Sequence, residues 1–331
     1  LAKDYTRKGY TYNGEFTEYG YIMKKEFEEN IEKNLKSDFS VAIDVANGAT
    51  YKVAEKVFTK LGINFEIINN NPDGININEN CGSTHLENLK KFVVNHKMSL
   101  GIAYDGDADR CLLVTNDGDV IDGDYVLAIC GKYLKEKGRL NNNAIVGTVM
   151  SNLGLNKLKN NTIVSTIMSN LGLNKFAKEQ DLDLKQTKVG DRYVLEEMLK
   201  NDYNLGGEQS GHIILLDYNP TGDGILTSLM LIQILLEENI KISKLCKIIN
   251  KYPQVLINVK VNNDKKPLYK EDTEIQEEIK NLEAELQDNG RVIIRPSGTE
   301  PLIRVMIEGQ NQKMIEEKAT KLANLIKLKL N

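Results

Sequence analysis

The chain is poor in cysteine and histidine, with four and three in 331 residues. Cys81, Cys111, Cys130 and Cys246 stand far apart and form no C-x-x-C pair. That spacing argues for reduced thiols, against a zinc ribbon and against a disulfide scaffold. No apolar run approaches the ~18 residues of a membrane-spanning helix, and no secretory signal pattern is present. The expectation is a soluble, cytoplasmic protein. A formal charge of −4 leaves no basic excess, so nucleic acid is not an expected partner. With 41% hydrophobic residues the chain supports folded cores, and its length suggests two or three domains.

What the sequence does concentrate is carboxylate. "AYDGDADRCLLV" (residues 103–114) places Asp105, Asp107 and Asp109 at alternate positions after an apolar run, with Arg110 next. Like charges this close raise the cost of ionising one another unless a cation neutralises them. Oxygen donors suit Mg²⁺ or Ca²⁺, and Gly106 and Ala108 are small enough for the chain to curl around an ion. An EF-hand is excluded, because it needs Gly where Arg110 stands and Glu where Asn116 stands. A phosphoaspartyl phosphatase also places an acidic pair after a strand, and that alternative stays open at this point. A guanidinium beside a metal suits a phosphoryl group.

The hydrophobic pattern sets the loop in a fold. "YIMKKEFEENIEKNL" has helical spacing, and "SVAIDVA", "NFEII" and "LGIAY" read as buried strands. Two helical segments, one closed by Gly62 and one over Leu86 to His96, alternate with these strands. The alternation predicts a parallel α/β sheet, with the acidic loop leaving the carboxyl end of a strand, where ligands bind. "CLLVTNDGDVI" then predicts a hairpin turning at Asn116 to Asp119. A second α/β unit begins near Asp122, with strands "AIVGTV" and "HIILLD" and the apolar helix "DGILTSLMLIQILLEEN". After Pro253 the half-buried "QVLINVKV", a charged helix, "RVIIR", "LIRVMIE" and a helix from Gln312 predict an α+β domain with an antiparallel sheet. A tandem duplication also stands out: "NNAIVGTVMSNLGLNK", ending at Lys157, recurs as "NNTIVSTIMSNLGLNK", ending at Lys175, 18 residues on. Two copies are too few for a solenoid, and the expectation is that one copy of 142–175 forms an excursion from the sheet.

Three further stretches carry chemistry. In "RPSGTEPLIRV", Arg295 and Arg304 flank Ser297, Gly298 and Thr299 in a turn, and hydroxyls, exposed N–H groups and two guanidiniums form a dianion cradle. In "NLGGEQSGHII", glycines let the backbone approach a ligand, while Glu208, Ser210 and His212 offer acceptor, hydroxyl and imidazole. A carboxylate with a hydroxyl suits vicinal sugar hydroxyls, and His212 is a candidate for moving protons near neutral pH. "TKVGDRYV" adds Lys188 and Arg192 as a second phosphate position. His85 and His96 sit at the ends of a helix and are given no chemistry.

These four stretches, in this order, resemble the α-D-phosphohexomutase superfamily, as do "DVANGAT" and "NENCGSTH". Gln209 favours its glucosamine branch over phosphomannomutases and phosphoglucomutases, which remain alternatives. The phosphatase alternative explains none of the other loops and is dropped. The resemblance implies a Mg²⁺-dependent interconversion of glucosamine 6-phosphate and glucosamine 1-phosphate through a phosphoserine and a bisphosphate intermediate. It implies metal at Asp105, Asp107 and Asp109, catalytic help from Arg110 and His212, and substrate binding by Lys188, Arg192, Glu208, Ser210, Arg295, Ser297, Gly298, Thr299 and Arg304. Members carry their phosphoserine in a Ser-His-Asn-Pro loop, and that tetrapeptide is absent from this sequence. Three of the family's four domains are therefore expected, at about 40–120, 121–248 and 249–331, after an N-terminal remnant or linker over 1–39. The expected isolated chain lacks turnover, acts as a Mg²⁺ and phosphosugar binding module, and exposes an apolar surface that favours self-association.

Overall fold

Short apolar strands alternating with amphipathic helices build the first part of the molecule, and the chemistry-bearing loops fall at strand ends. The computed structural model describes residues 27–141, 144–148, 171–180, 182–188, 190–298 and 300–331. Of the helix read over residues 21–35, residues 27–34 are helical and 21–26 lie outside the described residues. Two compact units form, the second made of 171–175 and Asn250–Asn331 and the first of the other described residues.

The first unit holds two sheets. One has the order β2-β1-β3-β4-β5, from β1 (Ser40–Asp44), β2 (Asn64–Ile68), β3 (Leu100–Tyr104), β4 (Cys111–Thr115) and β5 (Val120–Ile121). β1 runs parallel to β2 and β3, as the alternating pattern predicts. β4, however, pairs antiparallel with β3, Tyr104 opposite Cys111. The acidic loop is thus the tip of a hairpin, and the sheet is mixed. The second hairpin, β4 to β5, turns where expected. Helix α1 (Val53–Lys60) connects β1 to β2, and α2 (Glu87–His96) lays Leu89 and Val93 on Ala42, Ala103 and Val114. A Cβ on Gly101 would fall 2.6 Å from the Val93 side chain, so glycine lets α2 approach β3 closely.

The other sheet has the order β7-β6-β8-β9, from β6 (Ala144–Thr148), β7 (Asp183–Thr187), β8 (Leu205–Gly207) and β9 (Ile213–Leu215). Sequence pattern does not reveal β8, three residues of which two are glycine, a poor strand former. β8 and β9 pair antiparallel, so "EQS" also lies at a hairpin tip. Helix α3 (Gly123–Glu136) is capped by Asp122, whose carboxylate accepts the Tyr125 N–H. α4 (Leu171–Glu179) and α5 (Asp191–Asn201) follow β6 and β7. α6 (Gly224–Glu238), capped by Asp223, packs against α3, β4 and β9. Contacts on several sides explain why its sequence is apolar nearly all round. Among the described residues no helix is long and apolar enough to cross a membrane. The first repeat copy supplies β6, and the end of the second supplies the start of α4. Residues 149–170, which include the strand-like part of the second copy, lie outside the described residues.

In the second unit, β10 (Gln254–Lys260), β11 (Gly290–Pro296) and β12 (Leu302–Gly309) form an antiparallel sheet in the order β10-β12-β11. Ile303, Val305 and Ile307 share a core with Leu282 and Leu286 of α7 (Thr273–Leu286) and with Ile315, Leu322 and Ile326 of α8 (Gln312–Leu330). This is the α+β arrangement that the sequence predicts. Its most buried ion pair joins Arg291 to Glu308 at 2.5 Å, and the Leu171 N–H donates to the same carboxylate. Burial raises the Glu308 pKa, opposed by the Arg291 cation.

Candidate functional site

Three backbone bonds hold the acidic hairpin tip. Ala49 N–H donates to the Gly106 carbonyl at 2.8 Å, Gly224 N–H to the Ala108 carbonyl at 2.9 Å, and Cys111 N–H to the Gly211 carbonyl at 3.0 Å. The loop is therefore braced by the turn after β1, the first residue of α6 and the β8–β9 hairpin. Close approach demands glycine at each brace: a Cβ on Gly48 would fall 2.4 Å from the Gly106 oxygen, and one on Gly211 2.5 Å from the Cys111 oxygen, with Gly211 also at φ +93°. Ala108 takes φ 66°, turning the chain inside the triplet.

Asp105, Asp107 and Asp109 place one carboxylate oxygen each within 4.8 Å of one another. Asp105 is buried, Asp107 exposed and Asp109 half-buried. Burial, then the neighbouring acids, pushes the Asp105 carboxyl up to about 6, against the Arg110 N–H that it accepts. Burial raises Asp109 as well. The Arg110 guanidinium lies 3.8 Å from Asp105 and 3.7 Å from Asp109, too far for hydrogen bonds, and the buried Oδ1 of Asp109 has no hydrogen-bond partner. An orphaned carboxylate oxygen among three convergent acids fits a hard divalent cation.

His212 sits directly behind this loop. Its backbone bridges to Arg110, its imidazole is 3% exposed, and Nε2 lies 3.6 Å from Asp109 Oδ2. Neither ring nitrogen is hydrogen-bonded, and burial lowers the pKa from that of a free imidazole, disfavouring the charged ring. Glu208 is half-buried, and its Oε1 accepts the Gly190 N–H at 3.1 Å at the start of α5. Ser210 is exposed at the hairpin tip. The Gln209 side-chain amide donates to Asp122 at 3.4 Å, while its backbone carbonyl accepts the Gly123 N–H at 3.0 Å.

The structure thus brings the acidic triplet, Arg110, Glu208, Ser210 and His212 together on two adjoining hairpin tips. Lys188 and Arg192 are arranged differently. Lys188 is exposed with its ammonium 5.6 Å from the Tyr193 ring centre, and Arg192 is paired with Glu196 at 2.8 Å along α5. The charge of that segment felt at the acidic loop is Asp191, which adds to the burial-driven rise of Asp109 and opposes part of the burial-driven fall of His212. Sequence reading passes over Asp191, Gly190, Asp122 and Gly224. Only Asp122 and Asp223 carry a recognisable signal, an Asp-Gly pair opening an apolar helix. Gly123 is the most demanding of the braces, since a Cβ there would fall 1.9 Å from the Glu208 carbonyl oxygen. Gly123→Ala is expected to lower stability by about 1–3 kcal/mol through overpacking and to displace the Glu208 hairpin, as read by chemical denaturation and by NMR shifts of the Glu208–His212 amides.

The fourth stretch lies in the second unit, in the β11–β12 hairpin. Arg295 and Arg304 are direct cross-strand partners. Like charges facing one another across a sheet are unfavourable without an anion between or beside them. Glu300 Oε2 accepts from Arg304 at 2.9 Å, and the Ser297 hydroxyl accepts the Glu300 N–H at 3.1 Å. Ser297 is buried and Gly298 exposed, and Thr299 lies outside the described residues.

Comparison with known proteins assigns every one of these stretches to one family. The profile of phosphoglucomutase/phosphomannomutase alpha/beta/alpha domain II matches residues 19–118, that of domain III matches 122–159 and 155–252, and that of the C-terminal domain matches 256–325. The two overlapping domain III matches meet within the tandem duplication. The phosphoglucosamine mutase of Clostridium acetobutylicum is 52% identical over 317 residues, covering 94% of this chain and 67% of that protein. The Clostridium beijerinckii enzyme of the same name is 51% identical, covering 92% and 64%. The chain thus spans about two thirds of the length of these relatives. Among solved structures, Aspergillus fumigatus N-acetylphosphoglucosamine mutase in complex with GlcNAc-6P and magnesium has a TM-score of 0.71 at 19% identity, covering 96% of this chain and 70% of that one. A phosphoglucomutase/phosphomannomutase family protein of Burkholderia thailandensis has a TM-score of 0.67 at 19% identity, covering 91% and 65%.

Proposed function

Because this chain belongs to the phosphoglucomutase/phosphomannomutase family, we propose that it carries the metal, sugar and phosphate sites of a phosphoglucosamine mutase, in domains at about 40–120, 121–248 and 249–331. The reaction is the cytoplasmic interconversion of glucosamine 6-phosphate and glucosamine 1-phosphate. The observation that carries this reading is the junction of the acidic triplet with the Glu208 hairpin through Cys111 N–H and the Gly211 carbonyl, in a chain 52% identical to a phosphoglucosamine mutase. Phosphomannomutase and phosphoglucomutase chemistry uses the same classes of group and is the alternative.

Asp105, Asp107 and Asp109 would hold Mg²⁺, which supplies charge neutralisation to a phosphoryl group in transfer. Arg110 adds a guanidinium beside the triplet, and the buried His212 imidazole lies behind Asp109 at 3.6 Å. Glu208, held by the Gly190 N–H, accepts from vicinal sugar hydroxyls, and Ser210 binds beside it. Arg295, Ser297, Gly298, Thr299 and Arg304 grip the phosphate that is not being transferred, with Lys188 and Arg192 as a second phosphate position. No Ser-His-Asn-Pro loop occurs in these 331 residues, so the phosphoserine must come from outside them. By itself the chain is then a Mg²⁺ and phosphosugar binding module.

A coupled assay with glucosamine 6-phosphate, Mg²⁺ and a trace of the 1,6-bisphosphate tests this. The expected result is Mg²⁺-dependent binding without turnover, and turnover on adding a separate phosphoserine domain. Turnover by the chain alone that Asp107→Ala abolishes would overturn the need for an external phosphoserine. Tighter binding of mannose or glucose 6-phosphate than of glucosamine 6-phosphate would assign the chain to another branch.

A further inference from the structure

Lys266 opens the 3₁₀ turn Lys266–Lys270 and is buried, 6% exposed. An ammonium taken out of water is costly unless acceptors surround it. Its Nζ donates to the Ser297 carbonyl at 2.6 Å and to the Glu300 carbonyl at 2.5 Å. These two oxygens flank the tip of the β11–β12 hairpin. We propose that Lys266 is a positioning residue for anion recognition: by drawing both carbonyls inward it fixes the Gly298 N–H outward, as a donor to the phosphate of the substrate. The inference rests on the reading of this hairpin as a phosphate site.

Peptide geometry supplies the reason. No cis peptide occurs among the described residues, and in a trans peptide the C=O and N–H point in opposite directions. With the Ser297 oxygen on Lys266, the N–H of the same peptide, that of Gly298, is aimed away from the core. The space before it is open, since Gly298 is exposed and a Cβ built there would meet nothing within 4 Å. The Glu300 carbonyl precedes Pro301, which has no N–H, so this second bond acts as an anchor alone. Other donors of the turn are engaged within it: Ser297 N–H with the Leu302 carbonyl at 2.9 Å, Leu302 N–H with the Glu300 carbonyl at 2.8 Å, and Glu300 N–H with the Ser297 hydroxyl at 3.1 Å. The ammonium also puts a positive charge behind the hairpin, where it favours a bound dianion.

The test is an NMR titration of the ¹⁵N-labelled full chain with glucosamine 6-phosphate, with inorganic phosphate as a second probe. In the parent chain the Gly298 amide and the Arg304 side-chain N–H are both expected to shift on binding. In Lys266→Met the Gly298 response is lost and affinity falls by about tenfold or more, the scale of one charge-assisted contact, while the Val305 and Ile307 amides stay in place. Lys266→Arg, which keeps the charge, recovers part of the affinity. An Arg304 shift without a Gly298 shift in the parent chain would overturn the positioning role and leave the phosphate site standing. Binding by Lys266→Met equal to that of the parent would overturn it in the same way. If neither Arg304 nor Gly298 responds in the parent chain, the phosphate-site reading fails and the inference with it. The parent titration decides the matter even where Lys266→Met does not fold.

Discussion

At pH 7, saturating Mg²⁺ raises the melting temperature of the chain by several degrees, and Asp109→Ala abolishes the rise. A ligand at about a hundred times its Kd stabilises by roughly 2.7 kcal/mol, which is a shift of that size in a chain this long. The metal-free variant is expected to melt no lower than the parent, because it removes one of three convergent charges and a buried carboxylate oxygen without a hydrogen bond. The same carboxylates predict a pH dependence. Asp105 is pushed up to about 6 from the 3.8 of an exposed group, so between those values the folded chain holds a proton that the unfolded chain has released. Stability of the metal-free protein therefore falls as pH rises through this window, and the contribution of the protonated form is complete only below about 4. Mg²⁺ should reverse the fall at pH 7 and have little effect at pH 4.5, where protons compete for the ligands. Differential scanning calorimetry at the two pH values reads both effects. An equal Mg²⁺ shift at both, or a full shift in Asp109→Ala, would show that the triplet is not the binding site.

Arg304→Ala weakens glucosamine 6-phosphate binding by about 10- to 100-fold and lowers the melting temperature little. A hydrogen bond to a charged group contributes about 1.5–3 kcal/mol, which sets the affinity loss. The small structural effect follows from two opposing consequences. Removing the guanidinium relieves its confrontation with Arg295 across the β11–β12 ladder, and it breaks a partly exposed ion pair with Glu300 of the kind worth at most about 1 kcal/mol. Calorimetric titration with parallel melting curves separates the two. A large drop in stability with unchanged affinity would mean that the paired arginines serve the fold and that the phosphate site lies elsewhere.

Much of this site is legible in the residue order alone. Alternating acids after a buried run, a Ser-Gly-Thr turn between arginines and a glycine-rich Glu-x-Ser segment are local patterns, and local patterns report which groups can be present. The α/β and antiparallel sheet classes are legible for a related reason, since strand and helix periodicities are written in neighbouring residues. The acidic loop leaves the carboxyl end of β3, a strand parallel to β1, as the pattern predicts; that it is also a hairpin tip is not legible, because pairing of β3 with β4 depends on contacts that the alternation of one strand does not encode. β8 leaves no pattern because two of its three residues are glycine, and at Gly207 a Cβ would fall 2.6 Å from the His212 carbonyl oxygen across the hairpin.

By itself, then, the sequence determined the chemical inventory, the order of the loops and the family to which they belong, since each depends on residue identity and short spacing. Only the tertiary structure decided which groups meet. Register set Arg295 against Arg304, a long-range bond tied Gly211 to Cys111, and a buried lysine 31 residues from Ser297 took hold of the β11–β12 hairpin. Such meetings follow from packing and hydrogen-bond satisfaction between segments distant in the chain. The tandem duplication gives the same lesson: its two copies are nearly identical in sequence, so residue order does not say which of them supplies β6, and β6 lies in the first.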